Sequence, residues 1–146
     1  MLKKTIFLLL LSLLFVGCAP SIPMAPNKDD LIRKQFTTPD KNKAGIYVYR
    51  NSFAGSALIK VVYIDDKVLG SIANETYLYA EVTPGKHKLS TTSEFSPNDI
   101  YINTIGGKNY YFNHYIKLGL IVGGANMELV SAETAQKEIL ECKLAK

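Results

Sequence analysis

The chain has 146 residues, 17 basic and 13 acidic, with 47% apolar residues, nine tyrosines, no tryptophan and two cysteines. The formal charge of +4 is not gathered into a basic run or a lysine-rich stripe, which removes the electrostatic basis for nucleic-acid binding. Two cysteines exclude a disulfide scaffold, and about 100 residues suffice to close one core without bridges.

At the start, Lys3 and Lys4 precede an apolar run from Ile6 to Val16 that only Ser12 interrupts. A short positive stretch followed by so brief an apolar segment is the anatomy of an export signal, and it is too short to span a bilayer stably. The run ends in Leu14-Phe15-Val16-Gly17-Cys18-Ala19, which resembles the lipobox of bacterial lipoproteins, with Phe15 where leucine is commoner. The resemblance implies removal of residues 1–17, a diacylglycerol on the Cys18 sulfur and an acyl chain such as palmitate on its new amino group. Loss of Lys3 and Lys4 then leaves 15 basic against 13 acidic residues. Each buried methylene contributes about 0.8 kcal/mol, so a multiply acylated Cys18 would stay in its membrane. Ala19 in place of aspartate favours the outer membrane of a two-membrane bacterium, with the outer leaflet of the inner membrane as the alternative.

Residues 18–44 carry Pro20, Pro23, Pro26 and Pro39 among many polar residues, and predict a flexible tether with a reach of roughly 30 Å. Within it, Asn27 to Phe36 has the pattern of two helical turns, with Asn27 as cap and Asp29 and Asp30 in the first turn.

From Gly45 the apolar period becomes two. Ile46 and Val48 alternate with Tyr47 and Tyr49, and Leu78 and Ala80 with Tyr77 and Tyr79, as in half-buried strands. Strands are predicted near 45–50, 57–64, 67–72, 76–82, 87–93, 99–105, 109–117 and 126–130. Turn residues punctuate them at Asp65-Asp66, Thr83-Pro84-Gly85-Lys86, Ser96-Pro97-Asn98-Asp99 and Gly106-Gly107. The expected fold is all-β, an antiparallel β-sandwich of seven or eight short strands over residues 45–146. Ala132, Ala135, Ile139 and Leu140 fall at helical spacing behind Ser131, giving a short C-terminal helix, while residues 137–145 read equally as helix or closing strand.

Gly45-Ile-Tyr-Val-Tyr-Arg-Asn-Ser52, Val82-Thr-Pro-Gly-Lys-His87, Thr91-Thr-Ser-Glu94 and Lys117-Leu-Gly-Leu-Ile-Val-Gly-Gly124 stand in an order and spacing that, with the lipobox, resemble a bacterial lipoprotein family. That family is catalogued as domain of unknown function twenty-eight forty-six, and the resemblance runs from about Lys41 to the C-terminus. The Pro84-Gly85-x-His87 piece is also similar to the PEGA surface-layer repeat. The resemblance implies an envelope β-domain and supplies no catalytic residue.

The candidate sites follow. Pro84 presets φ and Gly85 takes the positive φ of a type II turn, a structural role. His87 and His114 lack the paired spacing of a metal site, so no metal and no cofactor is expected. His114 shares a strand face with Tyr110, Phe112 and Ile116, as a hydrogen-bonded histidine at the core edge would, and Cys142 reads as a small hydrophobe on a helix face. Leu118 to Ala125 reads as a core crossover. Tyr47, Tyr49, Tyr77, Tyr79, Tyr111 and Tyr115 fall opposite the aliphatic faces. They form either a stabilised outer sheet face or a contact surface for an envelope protein or the cell-wall polymer. The expectation for the whole is an outer-membrane lipoprotein facing the periplasm, without enzymatic activity and with a binding or structural role. The alternative is a periplasmic hydrolase using His87 or His114.

Overall fold

The computed structural model describes residues 21–93, 98–117 and 124–146. The export signal, Cys18, the Ser96-Pro97 part of one predicted turn and residues 118–123 of the Leu118–Ala125 crossover lie outside the described residues. Along the chain run α1 (Asn27–Arg33), β1 (Ala44–Arg50), β2 (Lys60–Ile64), β3 (Lys67–Ile72), β4 (Thr76–Val82), β5 (Gly85–Thr91), β6 (Ile100–Thr104), β7 (Asn109–Lys117), β8 (Gly124–Val130), α2 (Ala132–Ile139) and β9 (Lys143–Leu144). A five-stranded sheet in the order β8-β7-β1-β4-β9 packs on a four-stranded sheet in the order β3-β2-β5-β6. This is the expected all-β sandwich with a C-terminal helix. The larger sheet is mixed, because β1 pairs with β7, and β4 with β9, in parallel.

Strand alternation builds the space between the sheets. Ile46 and Val48 of β1, Leu78 of β4 and Phe112 of β7 point inward against Val62, Ile72 and Leu89 of the smaller sheet, all at most 1% exposed. Truncating such a side chain to alanine costs about 2–5 kcal/mol.

The opposite face of the five-stranded sheet departs from expectation. Tyr47, Tyr49, Tyr77 and Tyr111 are 0–3% exposed and form a second apolar cluster with Ala135, Ile139, Cys142 and Leu144, closed by Phe36 and Ala25. The molecule therefore has three layers: two sheets and a helical cover.

Much of that cover comes from the segment expected to be a tether. Ala25 N–H donates to the Leu144 carbonyl at 2.9 Å, and Met24 bridges Ala145. Asn109 Nδ2 donates to the Phe36 and Thr37 carbonyls at 3.1 and 3.2 Å. Gly107 N–H reaches the Lys43 carbonyl at 2.8 Å, and a Cβ at Gly106 would overlap the Lys41 carbonyl oxygen. The described part of residues 18–44 is thus docked on the domain, which corrects the tether and its reach. The physical reason is that prolines and polar residues lower local propensity but do not prevent backbone groups from pairing with an open sheet edge.

Local differences have causes as well. Pro26 rather than Asn27 caps α1, and the helix stops at Arg33 because Phe36 turns left-handed (φ 52°) to drop its ring onto Tyr47 and Tyr111. Residues 57–59 are not strand, since Arg50 Nη1 takes the Leu58 carbonyl at 2.6 Å and withdraws it from any ladder. Residues 137–145 are both alternatives in turn: helix to Ile139, then β9. Ser131 caps α2 by accepting the Thr134 N–H at 3.2 Å.

Candidate functional site

The hairpin joining β2 and β3 turns through Asp65 and Asp66, both left-handed (φ 51° and 63°), which is the geometry of a two-residue type I′ turn. This aims the Asp65 carboxylate at the start of β5, where it accepts the Lys88 N–H at 2.9 Å and meets His87 Nδ1 at 2.7 Å. His87 Nε2 meets the Thr83 carbonyl at 2.7 Å. A neutral imidazole has one N–H, so only the imidazolium can donate to both acceptors. Burial opposes that charge. The Asp65 carboxylate and the Thr83 carbonyl outweigh it and hold the His87 pKa above its ordinary value. The His87 bond in turn holds Asp65 below the usual carboxylate range, helped by the Lys88 N–H. Beside this pair opens a cleft of about 360 Å³ lined by Val68, Leu69, Ala80, Glu81 and Val82.

His114 lies elsewhere. On β7 it faces the space between the sheets, fully buried, with Nε2 3.1 Å from Thr91 Oγ1 and Nδ1 without a partner. Burial pushes its pKa down to about 3, assisted by the positive Arg50. His87 and Thr91 are four residues apart on β5, about 13 Å at strand rise. The two histidines therefore occupy opposite ends of that strand and share no cleft. A general base needs a ring nitrogen free to take a proton. His87 uses both of its nitrogens, and His114 is sealed from solvent. Among the described residues no cluster of three His, Cys, Asp or Glu side chains is placed to hold a metal ion. No helix among them is long and apolar enough to cross a membrane.

The tyrosine set is brought together, but inward. The Tyr47 ring lies 4.6 Å from Tyr79, 5.1 Å from Tyr111 and 5.8 Å from Phe36. Its hydroxyl donates to the Arg33 carbonyl at 3.0 Å, and that of Tyr77 to the Asp30 carbonyl at 3.3 Å, so two phenols satisfy carbonyls of the last turn of α1. Tyr111 Oη accepts from Gln136 Nε2 at 2.8 Å, which ties the sheet to α2. Arg33 sits 4.0 Å over the Tyr79 ring. Burial raises the Tyr47, Tyr49 and Tyr77 phenols, and brings Tyr79 up to about 12. The expectation of a solvent-facing contact surface is corrected for Tyr47, Tyr49, Tyr77 and Tyr111, which pack with Ala25, Phe36, Ala135 and Ile139 of this same chain. Of the six candidate tyrosines, Tyr79 and Tyr115 are half-buried.

At Pro84-Gly85 the positive φ is present, but Gly85 stands at +140° and opens β5 opposite Thr104, rather than holding the value near +80° that a type II turn requires. Cys142 is buried beyond the end of α2, and burial pushes its thiol up to about 12.

Sequence reasoning missed Arg50. Fully buried, it gives Nη1 to the Leu58 carbonyl at 2.6 Å and Nη2 to the carbonyls of Ala54 and Gly55. It thereby shapes the loop that carries Phe53, which is 91% exposed. A lone arginine ending an otherwise apolar strand was the available signal.

Residues 40–125, more than half the chain, match the family described as "Protein of unknown function (DUF2846)". The chain belongs to this family. The DUF2846 match contains the Gly45–Ser52, Val82–His87, Thr91–Glu94 and Lys117–Gly124 segments and ends at residue 125, before most of β8, α2 and β9. A relative from Haemophilus influenzae, described as an uncharacterized protein, is 46% identical over 134 residues, covering 92% of this chain and 79% of its own length. No solved structure matches.

Proposed function

We propose that this chain is a lipid-anchored envelope protein held at the outer membrane and facing the periplasm, with a binding or structural role and no catalytic one. The observation that carries the reading is Leu14-Phe15-Val16-Gly17-Cys18 at the end of an apolar run behind two lysines. Among the described residues the first docked side chain is Ile22, four residues after that cysteine, which agrees with an anchor placed directly at the domain's edge. The engagement of both His87 nitrogens and the burial of His114 favour the non-catalytic reading over hydrolysis. The role lies toward an envelope protein or the cell-wall polymer.

The test is Cys18→Ser, followed by metabolic labelling with a palmitate analogue and membrane fractionation. Loss of label together with release from the membrane, or with retention of the leader, is expected. A variant that is processed, labelled and membrane-bound as in the wild type would overturn the anchor.

A further inference from the structure

α1 is an amphipathic helix mounted inside out. In a helix packed on a globular domain the apolar stripe faces the core and the charges face water. Here Asp30 and Arg33 face in, while Lys28 and Asp29 in the first turns are exposed. Asp30 Oδ1 accepts the Leu144 N–H at 3.0 Å, Lys34 Nζ, just past the helix, bonds Asp30 at 3.0 Å and reaches the Cys142 carbonyl at 2.5 Å, and Arg33 stacks on Tyr79. The apolar residues face out: Leu31 is 67% exposed and Ile32 46%, and Met24 just before the helix is 41% exposed. No residue of the helix is buried.

Chain length says what covers this face. Three residues lie between Cys18 and Ile22, whose side chain packs on the inter-sheet core, and the four steps from one to the other span at most about 14 Å. With residues 23–25 paired to residues 144–146 at the sheet edge, that short span is all the slack that remains to lift the domain away from an anchored Cys18. Helix α1 begins five residues beyond Ile22, beside β9, on the edge nearest the anchor.

We propose that the outward face of α1, Leu31 and Ile32 together with Met24, rests in the lipid headgroup region of the membrane that holds Cys18, so that the domain lies on the bilayer in one orientation. This rests on the lipid anchor proposed above. A face of this kind settles about 5–10 Å into the headgroup and acyl boundary, and the exposed Lys28 and Asp29 of the first turns carry opposite charges that suit a zwitterionic headgroup layer.

The chain lacks tryptophan, so one introduced indole reports its own surroundings. Leu31→Trp is compared with Tyr101→Trp, whose position is 74% exposed on β6 of the other sheet. Both are made in the full chain, purified with its lipid and reconstituted into phosphatidylethanolamine–phosphatidylglycerol vesicles with and without brominated acyl chains. Leu31→Trp should emit to the blue and lose about half its emission to bromine near the headgroup boundary, while Tyr101→Trp emits as in water and is not quenched. A Leu31→Trp signal equal to that of Tyr101→Trp overturns the proposal. So does a blue-shifted but unquenched indole, which would assign the face to a protein instead. The intact mass of the same preparation separates the two claims. Without acyl mass on Cys18 the anchor fails and this inference falls with it. With acyl mass present and no quenching, only the inference falls.

Discussion

Replacing His114 with glutamine takes away a buried imidazole that the space between the sheets refuses to charge, while an amide can still bond Thr91 Oγ1. His114 is fully buried, and its pKa falls from 6.5 to about 3, chiefly through burial and then through the positive Arg50. A depressed folded-state pKa means that the unfolded chain binds the proton first. The native state keeps its full stability above about pH 6.5 and loses it as pH falls toward the folded value. At about pH 4 that loss is about 3 kcal/mol, a large share of the 5–15 kcal/mol typical of a domain. Urea unfolding of wild type and His114→Gln at neutral pH and at about pH 4 measures it. The wild type should lose about 3 kcal/mol more than the variant over that interval. The other titrating groups are common to both proteins and drop out of the difference. Parallel stability–pH profiles would refute the reasoning, since they would mean that His114 takes up its proton in the folded chain as readily as in the unfolded one.

Tyr47→Ala, at the centre of the covered aromatic layer, should cost about 3–5 kcal/mol, whereas Tyr101→Ala should change stability by less than about 0.5 kcal/mol; chemical denaturation compares them. The raised His87 pKa places the contribution of its bond to Asp65 fully below about pH 6.5 and removes it as pH rises through the folded value, so the wild type should lose thermal stability over that rise and Asp65→Asn should flatten the decline. Arg50→Met leaves the carbonyls of Ala54, Gly55 and Leu58 without their donor; it should cost about 3 kcal/mol and speed hydrogen exchange at the Ser56 and Leu58 amides, while unchanged exchange would show that the loop holds its shape by other means.

The sheets were legible because alternation is a backbone property. Strands 67–72, 76–82 and 109–117 stand where the period-two pattern puts them, and the first begins one residue early, at Ala44. What covers a face is not written in that face. Tyr47 and Tyr77 carry a ring that prefers burial and a hydroxyl that tolerates water, so their alternation fits an outer surface and a second core equally well. The deciding residues lie 14 to 47 positions away, in carbonyls at Arg33 and Asp30 that no sequence pattern marks as partners. Helix α1 was found as a helix, but its inside-out mounting depends on β9, a strand of two residues too short to leave a periodic signal. Asp65-Asp66 announced its turn correctly, whereas the bond from that turn to His87 spans 22 positions and appears only once β5 lies beside β2.

The pairing of residues 23–25 with residues 144–146 at the edge of the larger sheet also sets an order of events. A chain delivered N-terminus first, whether from a ribosome or through a membrane channel, presents α1 long before β9 exists to receive it. Until residues 143–145 emerge, Leu144 cannot engage Asp30, the tyrosine layer has lost part of its lid, and β4 is left as an open edge. Closure of this layer therefore waits on a contact of high sequence separation, the kind that forms slowly. A chain held open in this way stays threadable until residues 143–146 have been delivered.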